Sequence, residues 1–362
     1  MNQYLCLASE PWQGVPTRTQ QLITRLRGAQ VLYFEPPAPL GSRDHKRPGR
    51  RVRPGLTVYT LPPAMEVDQQ YSYFFRRRTN KLAHFIHRAM ERHRFREPVL
   101  WCTCPDQVHL LDYLPRRALV YDCDREWTQF PLRWESDLAL EADLIFAASQ
   151  GLRDRLSPCS DNIALLPNGA NFAMFQRPDQ EPPAELRGIQ GPVLGYAGTI
   201  WRDLDLTPLL QAACAYPDCA FVVVGRRESN PLIRDLARLD NVALLGERSP
   251  AELPDYLGRF DVCLNLLRTR RGSGDVLSPR IYEYLSTGKP IVSMITPDQV
   301  EPFPDVIYNA HTPQEFSRLC GRALGEQGDW ARQRRLDYGA SGAWSRRADQ
   351  VARILETIGL YG

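Results

Sequence analysis

The chain has 362 residues, 43% of them hydrophobic and 24% charged, which is long for one hydrophobic core and comfortable for two. No apolar run approaches the ~20 residues that an α-helical membrane span needs. The net charge of +3 conceals an asymmetry: residues 41–53 carry +5 and residues 71–96 carry +7, which leaves about −9 on the rest. Basicity confined to two segments argues against a nucleic-acid-binding chain.

In chain order, residues 3–8 read as a first β-strand. They lack the basic start and long apolar stretch of a signal peptide. Nine cysteines, an odd number scattered through apparent core segments, fit reduced thiols and a cytoplasmic setting better than a disulfide framework. Further strands are expected at 31–34, 56–60, 99–102, 118–121 and 143–147, with helices at 17–27, 71–94, 105–113 and 149–156. In the helix 71–94, Phe75, Leu82, Phe85, Ile86 and Ala89 form a stripe suited to packing on a sheet, and the other face is rich in arginine. Pro167-Asn168-Gly169 is a turn signal near the end of this half.

The second half repeats the scheme. Strands are expected at 192–197, 219–224, 241–245, 261–265 and 290–294. Helices are expected at 205–215, 230–238, 250–258, 279–287, 313–324 and 344–358. Strands separated by helices imply parallel sheets covered on both faces. The division is a first domain over 1–175, a proline-rich linker over 176–191, a second domain over 192–343, and a helix over 344–362 that can cross back. The fold class is therefore α/β, with two Rossmann-like domains facing each other across a cleft, where open α/β sheets bind ligands.

The most informative stretch runs from Gly272 to Val292. A Gly-Ser-Gly loop leads to Ser278, a good N-cap, then to Pro279, a good first helical residue, and Gly288 is placed to end the helix. The free N–H groups and positive dipole end at its start form an anion site. Arg280 adds a cation, and Glu283, one turn further in, could accept both hydroxyls of a ribose. An ordinary capped helix with a surface glutamate would show the same spacing.

The same stretch resembles the donor segment of GT-B-fold glycosyltransferases, in particular glycosyltransferase family 4 (glycosyl transferases group 1). That family carries two acids, here Asp275 and Glu283, followed by a turn like Gly288-Lys289-Pro290-Ile291-Val292. Asp275 stands where Glu is usual. Gly195-Tyr196-Ala197-Gly198-Thr199, Val222-Val223-Val224-Gly225 and Asn241 to Gly246 are similar to the family's successive donor-domain strands. Glu141 to Ser149 and Leu166 to Phe175 resemble the end of its first domain. The opening, from Trp12 through Arg18-Thr19-Gln20-Gln21 to Glu35-Pro36-Pro37, is similar to a teichuronic-acid-type subgroup.

The resemblance implies a metal-independent, retaining hexosyltransferase-like enzyme without a cofactor. Its donor would be a nucleoside-diphosphate sugar and its acceptor a glycan or a lipid-diphosphate-linked glycan, in bacterial surface polysaccharide synthesis. The donor-binding set would be Gly14, Gly198, Thr199, Arg202, Gly225, Arg226, Ser278, Pro279, Arg280, Ile281 and Glu283. Gly14 lies in the first strand-to-helix loop, where such enzymes bring backbone close to donor phosphate or acceptor. Asp205 occupies a position where a diphosphate-binding lysine is often found, so Arg202, Arg226 and Arg280 are the candidate replacements. Asp122, Asp124 and Asp275 are the catalytic candidates. Asp122 and Asp124 end a strand, where a carboxylate could orient or deprotonate an acceptor hydroxyl, or cap the following turn.

Asp122 and Asp124 also spell an Asp-x-Asp that binds metal in another glycosyltransferase fold, a reading that a twin-Rossmann chain disfavours. Cys102, Cys104 and His109 lack the second ligand pair of a zinc site. No metal is expected. The arginine face over 71–96 is either a solvated face or a site of attraction to an anionic membrane or lipid-diphosphate acceptor, making the protein peripheral on the inner face of the plasma membrane. Two other readings stay open: a nucleotide-sugar epimerase on the same fold, and a catalytically silent subunit that docks a glycan or a membrane partner.

Overall fold

A computed structural model describes residues 2–64, 72–176, 181–266, 275–294 and 302–361. The chain forms two compact units, Met1–Pro167 with Arg347–Gly362, and Asn168–Arg346.

In the first unit the elements are β1 (Gln3–Leu7), α1 (Arg18–Ile23), β2 (Gln30–Pro37), β3 (Arg50–Arg53), β4 (Leu56–Leu61), α2 (Ser72–His93), β5 (Val99–Cys102), a 3₁₀ helix (Pro105–Tyr113), β6 (Ala118–Cys123), α3 (Leu132–Glu141), β7 (Leu144–Ala147), α4 (Gln150–Leu156) and β8 (Ile163–Leu165). The sheet order is β3-β4-β2-β1-β5-β6-β7-β8. Every pairing is parallel except β3 with β4. The central strands are buried on both faces, which is why they read as unbroken apolar runs. β3, Arg-Arg-Val-Arg, escapes the sequence reading because its charges suit an exposed sheet edge. On α2, Leu82, Ile86 and Ala89 are buried as their spacing predicts. The expected helix at 105–113 is 3₁₀ rather than α.

The second unit comprises β9 (Val193–Ala197), α5 (Thr207–Ala215), β10 (Ala220–Val224), α6 (Ile233–Leu236), β11 (Val242–Gly246), α7 (Leu253–Arg259), β12 (Val262–Asn265), α8 (Pro279–Thr287), β13 (Ile291–Ser293), β14 (Ile307–Asn309), α9 (Pro313–Leu324) and α10 (Asp329–Ser341). Its strands are all parallel in the order β11-β10-β9-β12-β13-β14. α11 (Trp344–Thr357) follows, and from Arg347 onward the chain belongs to the first unit. There the Tyr4 hydroxyl and the Arg117 guanidinium donate to the Leu360 carbonyl at 2.9 and 2.8 Å.

In each unit the strand order reverses about one central strand, β1 in the first and β9 in the second. The carboxyl ends beside such a reversal are where open α/β sheets leave a crevice. The loops after β1, β6, β9 and β10, and the start of α8, carry the candidate residues.

Candidate functional site

Ser278 caps α8, its Oγ accepting from the Arg280 N–H at 3.2 Å, and Pro279 is the first helical residue. Gly288 ends the helix at φ +72°, a left-handed position that favours glycine. Beyond it, fully buried Arg335 donates to the carbonyls of Gly288 and Val306, both at 3.0 Å, and pairs with Glu326. The far end of α8 is therefore clamped.

Arg280, in the first turn, and Glu283, one turn further in, form an ion pair, with side chains 25% and 22% exposed. Burial pushes the Glu283 carboxyl above its ordinary range, and the Arg280 guanidinium opposes that shift. The cation and the carboxylate expected to receive phosphate and ribose thus hold each other. Asp275, part-buried, lies just ahead of the helix. The glycine-rich expectation at Gly272–Gly274 lies outside the described residues.

Tyr284 ties this helix to β9. Its buried hydroxyl accepts from the Ala197 N–H at 2.9 Å, immediately before Gly198. The loops after β9 and β10 are then zipped together: the Gly198 N–H donates to the Val224 carbonyl at 2.8 Å, and the Ile200 N–H to the Arg226 carbonyl at 2.8 Å. Gly225 has φ +150°, and a Cβ there would stand 1.9 Å from the Gly198 carbonyl oxygen. Gly198, Thr199, Gly225 and Arg226 are therefore brought together, and through Tyr284 they are joined to the helix that carries Arg280, Ile281 and Glu283.

Glu228 sits beside the arginines of these loops. It accepts from the Arg202 N–H at 3.2 Å and approaches the Arg226 guanidinium at 3.8 Å, while Arg226 also lies over the Trp201 ring at 5.7 Å. Asp205, standing at the lysine position, accepts at 2.9 Å from the N–H of Thr207, the first residue of α5. Buried Asn230 donates to the carbonyls of Trp201 and Leu204 at 3.0 and 2.9 Å and fixes that loop. This use of Asn230, with Pro231 after it, explains why the helix expected at 230–238 shrinks to Ile233–Leu236.

In the first unit Gly14 lies in an exposed loop between β1 and α1. Gln20 holds the loop by donating to the Trp12 carbonyl at 3.1 Å, and with Thr17 it forms a capping box on α1. Next to it, Arg18 donates to Asp122 at 2.9 Å, with side chains 3% and 0% exposed. Burial pushes the Asp122 carboxyl up, and Arg18 opposes this. Asp124, 18% exposed, pairs instead with Arg125 at 2.9 Å. Of the two acids, only Asp124 reaches solvent.

Tyr284, Asn230, Glu228, Arg18 and Arg335 were not singled out as site residues from the sequence. The Asn230-Pro231 dipeptide, placed inside an expected helix, is a turn signal that could have found one of them. The other four act through partners distant in sequence or through loop geometry.

Residues 204–353 match a family model described as glycosyl transferase-like. Over 256 residues the chain is 27% identical to TuaH of Bacillus subtilis (strain 168), assigned as a glycosyltransferase of teichuronic acid biosynthesis. That alignment covers 64% of this chain and 64% of the relative's length. Among solved structures, the fold is similar to a sucrose-phosphate synthase from Thermosynechococcus elongatus, at TM-score 0.76 and 14% identity over 99% of each chain. It is similar to an α,α-trehalose 6-phosphate synthase from Burkholderia multivorans at TM-score 0.75 and 12% identity, again over 99% of each chain. It also resembles Anabaena HepE, solved in complex with UDP and glucose, at TM-score 0.69 and 17% identity over 99% of this chain and 100% of that one. The fold is that of GT-B glycosyltransferases, as the sequence motifs led one to expect.

Proposed function

We propose that this glycosyl transferase-like chain of the GT-B fold moves a sugar from a nucleoside-diphosphate sugar to a glycan or lipid-linked acceptor in surface polysaccharide synthesis. The observation that carries the proposal is Glu283 paired with Arg280 near the start of a capped helix, which Tyr284 ties to the Gly198–Gly225 loop pair. The nucleotide in HepE and the pathway assigned to TuaH support the same reading.

When the donor enters, the Glu283 carboxylate accepts the ribose hydroxyls, and Arg280 is released toward the diphosphate at the α8 N-terminus. Arg226 and Arg202, on the β9 and β10 loops, add further cations. Dipole and cations together stabilise the negative charge that builds on the departing diphosphate. Asp124, which reaches solvent, is the better placed of the two strand-end acids to meet an acceptor hydroxyl, since Asp122 is held by Arg18. We propose retention at the anomeric carbon, the outcome named for a further trehalose-6-phosphate synthase of similar fold, at TM-score 0.72 and 12% identity. No cofactor and no divalent ion enter this scheme.

The basic segments 41–53 and 71–96 would draw the protein to an anionic membrane surface bearing the acceptor. Isothermal calorimetry against a panel of nucleoside diphosphates and their sugars tests the proposal. One of them should bind the wild type and lose affinity in Glu283→Ala. Failure of all of them to bind would overturn it.

A further inference from the structure

At the carboxyl edge of the first unit's sheet five rings touch in series. The ring of His109, on the 3₁₀ helix after β5, meets Phe75 edge-on at 4.8 Å and Trp134 edge-on at 4.6 Å. Trp134 continues to Phe130 at 5.7 Å, and Phe130 to Trp127 at 6.0 Å, on the segment after β6. Burial holds the His109 imidazole below its ordinary pKa, so the ring is neutral near pH 7 and joins the series as an apolar member.

The series runs from buried Trp127, 7% exposed, out to half-buried Phe75. At the Phe75 end the first turn of α2 carries Tyr73 and Phe74, a ring pair 5.5 Å apart and 68% and 60% exposed. Beside the middle ring, two residues before Trp134, Leu132 is 78% exposed. α3 leaves Leu132 and Leu140 outside and buries Glu135 beside Leu138 and Ala139. Single exposed apolar residues are ordinary, but an exposed aromatic pair next in the chain to a half-buried ring series and followed by cations is not. Arg76 and Arg77 follow Tyr73 and Phe74 on the same helix and are exposed.

We infer that this rim inserts into the interface of an anionic lipid bilayer through Tyr73, Phe74 and Leu132, with Arg76 and Arg77 on the headgroups, so that the carboxyl edge of the first unit faces the membrane. The inference rests on the proposed attraction to an anionic surface and deepens it. Charge alone draws a protein to a membrane by any basic face, whereas apolar side chains in the interface fix which face docks. Tyrosine and phenylalanine rings suit the headgroup level, and arginine stems lie along apolar surface while their heads reach phosphate. The two contributions differ in their response to salt: attraction between exposed charges is screened over about 8 Å at physiological ionic strength, and buried apolar area is not.

The test uses the whole chain with mixed phosphatidylcholine–phosphatidylglycerol vesicles, read by co-sedimentation at low and high salt. Wild type should bind at low salt and keep a measurable fraction at high salt. Tyr73→Ser/Phe74→Ser, which alters only exposed side chains, should weaken binding about tenfold or more and abolish the salt-resistant fraction. Arg76→Gln/Arg77→Gln should lose affinity at low salt and retain the salt-resistant part. Vesicles of brominated lipid should quench the tryptophan emission of wild type and not that of the aromatic double variant. An aromatic variant that binds like wild type, or wild-type binding that salt removes entirely, overturns the inference, as does wild type that ignores the vesicles. Donor calorimetry on the same preparations separates the two readings: intact donor binding without vesicle uptake defeats the membrane inference alone, and vesicle uptake without binding of any sugar nucleotide defeats the transfer reading alone.

Discussion

In the second unit the candidate groups are held by backbone and caps: Ser278 and Gly288 bound α8, and Gly198 and Gly225 meet main chain to main chain. In the first unit they are held by charges taken out of water. Arg18 and Asp122 pair with almost no exposure, and Glu135, buried on α3, receives Arg155 at 2.9 Å and the Tyr121 hydroxyl at 2.8 Å. The contrast separates two demands. A phosphate site needs N–H groups at fixed positions, which local backbone geometry supplies. Setting the loop after β1 beside the end of β6 needs a link across the sheet, and here that link is a buried ion pair.

The largest expected effect breaks this link. Asp122→Asn leaves the Arg18 charge buried without its counter-ion, and removing one member of a buried pair costs about 3–5 kcal/mol of stability. Urea denaturation should register that loss, while donor affinity in the folded variant stays near wild type because the proposed donor site is in the other unit. Full stability with lost transfer would instead make Asp122 a catalytic residue.

Next in size is Glu283→Ala. Its charge-assisted hydrogen bonds to ribose should contribute roughly 1.5–3 kcal/mol, so donor affinity should fall about ten- to a hundredfold by calorimetry. Stability should change little, since the carboxylate retains 22% exposure and its partner Arg280 reaches solvent. Unchanged donor affinity would remove Glu283 from the site.

The two units were not equally legible in the sequence. Ser278-Pro279 and Gly288 delimit α8 at Pro279–Thr287 because capping is a local rule, and Thr312-Pro313 does the same for α9. Most parallel strands were legible because burial on both faces forces apolar runs, whereas β8 and β14, parallel strands at sheet edges and only half-buried, were not. α10 was not, because its buried residues are Arg335 and Gly339, which make no apolar stripe. α3 was not legible either, because Leu132 and Leu140 are exposed while Glu135 is buried beside Leu138 and Ala139. The Arg18–Asp122 pair joins residues 104 positions apart and follows no spacing rule. By contrast, the pairing of Arg280 with Glu283, expected to serve two parts of a ligand, follows the i,i+3 spacing of helix neighbours.

That pairing sharpens the comparison through pH. The Glu283 carboxyl titrates above its ordinary range in the folded protein, so its contribution to stability is present at low pH and is lost as pH rises through the raised value. Ribose hydroxyls are best accepted by the ionised form, so donor affinity should rise over the same interval, by at most about tenfold per pH unit. Glu283→Gln should flatten both curves. A donor affinity in wild type that is level across the carboxylate range would mean that Glu283 binds in one protonation state throughout.

The smallest expected effect is none: sugar transfer should survive excess chelator. A divalent ion could serve the leaving diphosphate only if acids were free to hold it. Asp122 is committed to Arg18 at 2.9 Å within the core, and Asp124 to Arg125 at 2.9 Å. Taking Asp122 from its partner would cost as much as the asparagine substitution, about 3–5 kcal/mol, before any metal bond formed. The α8 N-terminus, with Arg280, Arg226 and Arg202, offers the diphosphate a positive environment without that cost. Transfer lost in EDTA and restored by magnesium or manganese would reverse this order of energies, and would return Asp122 and Asp124 to the position of metal ligands.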